Sequence, residues 1–71
     1  MPSYETHGPG RTTSLLETIN TRTGARRFYI NGRRVTRDTM AAAKMQARLD
    51  TFHTITRGHI VRHRCEATRV A

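Results

Sequence analysis

The sequence predicts a small α+β domain in which one helix packs on one face of an antiparallel sheet. Three observations predict it. Asn31-Gly32 separates two short runs in which apolar and polar residues alternate, residues 37–50 are rich in strong helix formers, and residues 59–70 alternate again. The predicted order is three strands, one helix, and then a strand or a hairpin. We expect residues 15–71 to form this single domain, preceded by a disordered arm over residues 1–14.

Asn31-Gly32 favours a two-residue type I′ turn, because both central residues of that turn need a positive φ. With this turn, alternate side chains of the hairpin point to opposite faces. One face is predicted to hold Phe28, Ile30 and Val35, with Arg33 at its tip. The other is predicted to hold Arg27, Tyr29, Arg34 and Thr36. The first face is apolar and requires a partner.

The helix predicted over 37–50 supplies that partner. Thr36 is a good N-cap, and Asp38 suits the positive end of the helix dipole. An apolar stripe recurs at three- and four-residue steps and consists of Ala42, Met45, Leu49 and Phe52. We expect this stripe to pack on the apolar hairpin face, with Leu49 buried against Phe28. Arg37, Lys44 and Arg48 form a second, basic stripe.

Two further segments are predicted to join the sheet. Residues 15–21 alternate and are rich in β-formers, and Thr23-Gly24 is a turn signal before the next strand. Arg57-Gly58 indicates a turn before residues 59–70. In that last segment, alternation places Val61, His63, Cys65 and Ala67 on one face. The other face receives Ile60, Arg62, Arg64, Glu66, Thr68 and Val70.

Charge is the strongest indication of function. Thirteen basic residues against five acidic ones give a formal net charge of +8, and all of the basic residues except Lys44 are arginine. Arginine pairs bidentately with phosphate and carboxylate and stacks on bases. We therefore predict a surface that binds nucleic acid, a nucleoprotein complex, or an acidic patch of another protein; a solvated basic face without a partner is the alternative. The candidate binding residues are Arg27, Tyr29, Arg33, Arg34, Arg37, Lys44, Arg48, Arg62 and Arg64.

Other classes of function find little support in the sequence. No apolar run is long enough to cross a membrane, and no signal-peptide pattern opens the chain, so we expect a cytoplasmic protein. The single cysteine, Cys65, fits a reducing compartment. His59, His63 and Cys65 would point the same way in a strand, yet the usual zinc spacings are absent. Cys65 lacks an orienting carboxylate, since alternation places Glu66 on the opposite face. We expect no metal, no cofactor and no enzymatic activity.

Residues 28–37, Phe-Tyr-Ile-Asn-Gly-Arg-Arg-Val-Thr-Arg, precede an alanine-rich helix. This block resembles small bacteriophage early proteins, in which an aromatic strand, Asn-Gly, a basic residue, Val, Ser or Thr and then a helix often follow one another. The resemblance covers about a third of the chain. It implies a non-catalytic accessory protein that binds a host machine such as RNA polymerase, and it assigns no site residues.

Overall fold

A computed structural model describes residues 12–70, which form a five-stranded antiparallel sheet and one helix. The strands are β1 Thr12–Asn20, β2 Arg26–Ile30, β3 Arg33–Val35, β4 Ala47–Arg57 and β5 Ile60–Arg69, with α1 Arg37–Met45 between β3 and β4. Their order in the sheet is β3-β2-β1-β5-β4. The predicted α+β class, with three strands, a helix and then a strand or a hairpin, is confirmed, and the structure has the hairpin β4–β5 after the helix. Among residues 12–70, α1 is the only helix. With nine residues, it is too short to cross a membrane.

The β2–β3 hairpin has the predicted turn and register. Asn31 and Gly32 have φ values of 51° and 80°, which places both central residues in the left-handed region. Phe28 lies opposite Val35 and Tyr29 opposite Arg34. The turn is also tied to β1, because the Ser14 N–H donates to Asn31 Oδ1 at 2.9 Å. The hairpin is therefore fixed both by its own residues and by the neighbouring strand.

The helix starts as predicted and ends five residues early. Thr36 caps it, its hydroxyl oxygen accepting a hydrogen bond from the Thr39 N–H at 3.2 Å. The chain leaves the helix after Met45, which is 87% exposed, whereas Met40 is 2% exposed. The predicted stripe is therefore wrong in phase: Met40 and Ala43 face the core, and Leu49 and Phe52 belong to β4. Pairing with β5 gives residues 47–50 a ladder of backbone hydrogen bonds, and this tertiary gain overrides their helix propensity.

The core lies between α1 and one face of the sheet. Its buried apolar residues are Leu15, Ile30, Met40, Ala43, Cys65 and Ala67. Leu49 packs at the margin of this cluster from β4. The predicted contact between Leu49 and Phe28 is wrong, because β1 and β5 lie between their strands.

The remaining boundaries differ less from the predictions. β1 begins at Thr12, so residues 12–14 are strand rather than part of a disordered arm, and the rest of that predicted arm lies outside the described residues. The turn before β2 is closed by the Gly24 N–H, which donates to the Asn20 carbonyl at 2.7 Å. Gly58, with a φ of 56°, forms the predicted turn before β5. β5 pairs with both β1 and β4, so the C-terminal segment completes the sheet.

Candidate nucleic-acid interface

The two faces of the sheet have different surroundings, since α1 covers one of them and no described element covers the other. We call the second the open face. Its residues follow from the strand registers, because cross-strand partners point to the same side of a sheet. The registers place six arginines there: Arg27, Arg34, Arg48, Arg57, Arg62 and Arg64. All six are exposed.

One row across the open face contains a residue from every strand. We call it the Tyr29 row, and from β3 to β4 its members are Arg34, Tyr29, Leu16, Arg64 and His53. Adjacent strands lie about 4.8 Å apart, so this row spans about 19 Å. Tyr29 and Leu16 are partly buried among the longer side chains. The row is thus an apolar centre with a cationic side chain on either side of it.

A groove of about 530 Å³ follows the open face beside this row. Leu16, Thr18 and Tyr29 line it together with the basic side chains of Arg27 and Arg62. Thr18 lies opposite both Arg27 on β2 and Arg62 on β5, so the two arginines flank it. The groove therefore combines an aromatic ring, small polar groups and two guanidinium groups, the set of contacts that bases and phosphates use.

Acidic residues are placed so that most of the open face stays positive. Glu17 points to the helix side, where Arg26 Nη1 pairs with its Oε2 at 2.9 Å. Asp38 lies in the first turn of α1. Asp50 and Glu66 are on the open face, directly opposite each other near one end of the β4–β5 pair. Among the described residues, the arginines around Tyr29 consequently form no ion pair, and the nearest open-face carboxylate is that of Glu66, two residues along β5 from Arg64.

The structure divides the predicted site residues between two sides of the molecule. It brings together Arg27, Tyr29, Arg34, Arg48, Arg62 and Arg64 on the open face. Arg48 reaches this surface from β4, so the predicted helical stripe with Arg37 and Lys44 is wrong for that residue. Arg33 lies opposite Ile30 and points to the helix side. Lys44, in the last turn of α1, lines a separate cavity of about 280 Å³ on that side.

Arg37 has an intermediate position at the β3 edge. A depression of about 460 Å³ there is lined by Arg37 at the start of α1 and by Arg26, Arg27 and Arg34. A long anion crossing the open face can therefore continue around this edge, where the basic surface turns toward the helix.

Besides Leu16, which lies between Tyr29 and Arg64, sequence reasoning missed Arg57 and His53 of the open face. Both are on β4, the strand that was assigned partly to the helix. The alternation of His53, Ile55 and Arg57 before the Arg57-Gly58 turn was the available signal. It could have predicted a strand before the Arg57-Gly58 turn, ahead of the strand or hairpin predicted over 59–70.

The histidine and cysteine side chains have different surroundings. His63 and Cys65 share the helix-side face as predicted, while His59 lies in the β4–β5 turn. Within residues 12–70, no three His, Cys, Asp or Glu side chains are grouped so that they could hold a metal ion. His63 Nδ1 lies 3.0 Å from the Thr54 hydroxyl. Burial raises the pKa of the Cys65 thiol, an effect opposed by nearby Lys44, and a protonated thiol is a poor nucleophile.

Comparisons of the chain with protein-family models, with curated proteins and with solved structures found no match. Function is therefore inferred from the chain's own geometry and charge.

Proposed function

We propose that this chain is a small, non-enzymatic regulator that binds nucleic acid, alone or within a nucleoprotein complex such as transcription machinery. The supporting observation is that six exposed arginines share the open face, with Arg27, Arg34, Arg62 and Arg64 around Tyr29 and Leu16 and with Arg48 and Arg57 near the two ends of β4. Phosphates supply most of the binding free energy of such a surface, and base contacts or stacking add to it.

The shape of the surface favours a single strand. The open face is a sheet surface without a helix or hairpin rising from it to enter a duplex groove among residues 12–70. A single strand can instead place its bases on Tyr29 and Leu16 and its phosphates near the flanking arginines. Duplex binding would use phosphate contacts alone and would be weaker at the same salt concentration.

A titration of fluorescently labelled oligonucleotides tests this proposal. Single-stranded DNA, single-stranded RNA and duplex DNA of equal length would be titrated with the protein at several salt concentrations. We expect the single strands to bind more tightly, with log affinity falling linearly with log salt concentration. Absence of binding to all three at low salt would refute the proposal.

An acidic patch on a host enzyme is the alternative partner, and the resemblance to phage early proteins points to RNA polymerase. Leu16 and Ile55 on the open face favour it, because apolar residues among arginines also suit a protein interface. Purified bacterial RNA polymerase free of nucleic acid provides the discriminating arm of the titration. Binding to the polymerase but to none of the oligonucleotides would establish this alternative.

A further inference from the structure

The two edges of the sheet differ in how they are protected against pairing with another strand. β3 has three residues, and two of them are the exposed Arg33 and Arg34. Short, charged edges of this kind resist pairing. β4 has eleven residues, and its segment 51–56, Thr-Phe-His-Thr-Ile-Thr, is exposed throughout and contains no Asp, Glu, Lys or Arg. No other strand of residues 12–70 pairs with the outer edge of β4.

The large exposed apolar side chains lie in β4 or in the segments that adjoin it. Phe52 and Ile55, in β4 itself, are 69% and 56% exposed. Met45 is two residues before the start of β4, and the Val70 N–H donates to the carbonyl of Gln46, which immediately precedes β4. Ile60 lies opposite Arg57 at the far end. The large exposed apolar residues of the described chain thus all border β4, which is the pattern of an interface rather than of scattered surface residues.

We propose that the chain forms a two-fold symmetric homodimer by antiparallel pairing of β4 with β4 of a second copy. The side chains of directly opposed residues in antiparallel strands point to the same side of a sheet. A two-fold axis perpendicular to the sheet at Thr54 meets this requirement, because it pairs each β4 residue with one that points to the same side. It places His53 opposite Ile55 of the second copy, both on the open face. It places Phe52 opposite Thr56 of the second copy, both on the helix side.

The bulge in β4 brings charges into register in this arrangement. The pairing of β4 with β5 is interrupted between Asp50 and His53, and Thr51 has a φ of 55°. With Thr51 as the extra residue of the bulge, Asp50 occupies the pairing position that follows Phe52. Asp50 then lies opposite Arg57 of the second copy. Asp50 and Arg57 both point to the open face, so the pair can form, and symmetry makes it twice.

The surroundings of Asp50 favour a basic residue from outside the chain. Asp50 lies directly opposite Glu66 on β5, and like charges at opposed positions destabilise a sheet. An arginine from a second copy would relieve this repulsion. β4 has Asp50 near one end, two residues after Arg48, and Arg57 at the other end, with the uncharged segment 51–56 between Asp50 and Arg57. The stretch from Asp50 to Arg57 is therefore complementary to itself in an antiparallel pair.

The dimer would have a continuous ten-stranded sheet, with both open faces on the same side. This inference does not depend on the proposed function, since it rests on the outer edge of β4 and not on nucleic-acid contacts at Tyr29 and Leu16. If both are correct, the second copy doubles the length of the basic surface.

Sedimentation velocity over a range of protein concentrations tests the proposal. We expect the parent chain to pass from monomer to dimer as concentration rises. Asp50→Arg and Arg57→Asp should each weaken dimerisation about tenfold or more, because each replaces two attractive pairs with two repulsive ones. The double variant Asp50→Arg/Arg57→Asp restores both pairs in reverse and should dimerise like the parent.

Arg33→Asp provides the matched control, because it makes the same charge change at the opposite edge of the sheet and should leave dimerisation unchanged. Circular dichroism would establish that every variant is folded, and both exchanged side chains are exposed in the single chain. A parent that stays monomeric at all concentrations overturns the proposal. So does a double variant that dimerises no better than the single ones.

Discussion

Leu15 and Leu16 are consecutive in β1 and lie on opposite sides of the sheet. Leu15 is 2% exposed, with Ile30 and Cys65 as its cross-strand partners in the core beneath α1. Leu16 is on the open face between Tyr29 and Arg64. One strand thus supplies the centre of the core with one leucine and the centre of the candidate interface with the next.

The two leucines should respond differently to truncation. Leu15→Ala should lower the free energy of unfolding by about 3 kcal/mol, since it removes a fully buried side chain and leaves a cavity. Leu16→Ala should cost about 1 kcal/mol, because water already reaches that side chain. Urea denaturation of both variants measures the difference. Equal losses would mean that the open face is covered in solution.

The methionines of α1 give a test of the helix phase. Met40 is 2% exposed and Met45 is 87% exposed. Met40→Ala should cost about 2–4 kcal/mol, whereas Met45→Ala should change stability by less than about 0.5 kcal/mol. Both substitutions introduce the same residue into the same helix, so propensity effects cancel in the comparison. Thermal unfolding of the two variants measures the difference. A larger loss of stability in Met45→Ala than in Met40→Ala would contradict the orientation of α1 in which Met40 faces the core.

Short sequence motifs correctly predicted the features that are determined by residues close together in the sequence. Asn31-Gly32 specified a turn in which both residues have positive φ, and the register of the hairpin followed from it. Thr36 was correctly identified as the helix cap. Alternation in β5 correctly placed Cys65 and Arg64 on opposite faces of the strand. Each of these features depends on chemistry within a few residues of sequence.

The helix end and β4 depended on contacts distant in sequence and were predicted wrongly. Leu49 continues the helical spacing of Ala42 and Met45, yet it reaches the core, together with Ala47, from a strand paired with β5. This error moved Arg48 to the wrong surface and hid Arg57. The basic character of the candidate site was predictable from composition. Which side of the sheet each β4 residue faces depends also on the irregularity between Asp50 and His53, which has no clear sequence signal.

The β2–β3 turn should be sensitive to the residue at position 32. A Cβ at Gly32 would meet no atom within 4 Å, so any loss must come from its φ of 80° rather than from a clash. Gly32→Val should cost about 1–3 kcal/mol, because β-branched residues resist positive φ. Gly32→Asn is the matched control and should cost much less, since asparagine tolerates the left-handed region. Thermal unfolding would contradict this expectation if the two variants were equally stable.

Removal of a positive charge should weaken nucleic-acid binding when the charge lies on the open face and should have little effect when it lies on the helix side. Arg34→Ala and Arg64→Ala each remove a cation from the Tyr29 row and should each reduce the salt slope of log affinity by about 0.7–0.9. Lys44→Ala removes the same charge from the helix side and should leave the slope nearly unchanged. Anisotropy titrations at four or more salt concentrations, about 50–300 mM, measure these slopes. Equal effects of all three substitutions would indicate a general charge effect and not a defined interface.

Tyr29 should distinguish stacking from simple charge attraction. Its ring lies between Leu16 and Arg34 on the open face, where an unpaired base can lie against it. Tyr29→Ala should weaken single-strand binding by about 1–3 kcal/mol and change duplex binding little, since duplex bases are already stacked on each other. Tyr29→Phe keeps the ring and should bind single strands nearly as well as the parent. If Tyr29→Phe lost as much affinity as Tyr29→Ala, a hydrogen bond from the phenol rather than stacking would be the contact that Tyr29 makes.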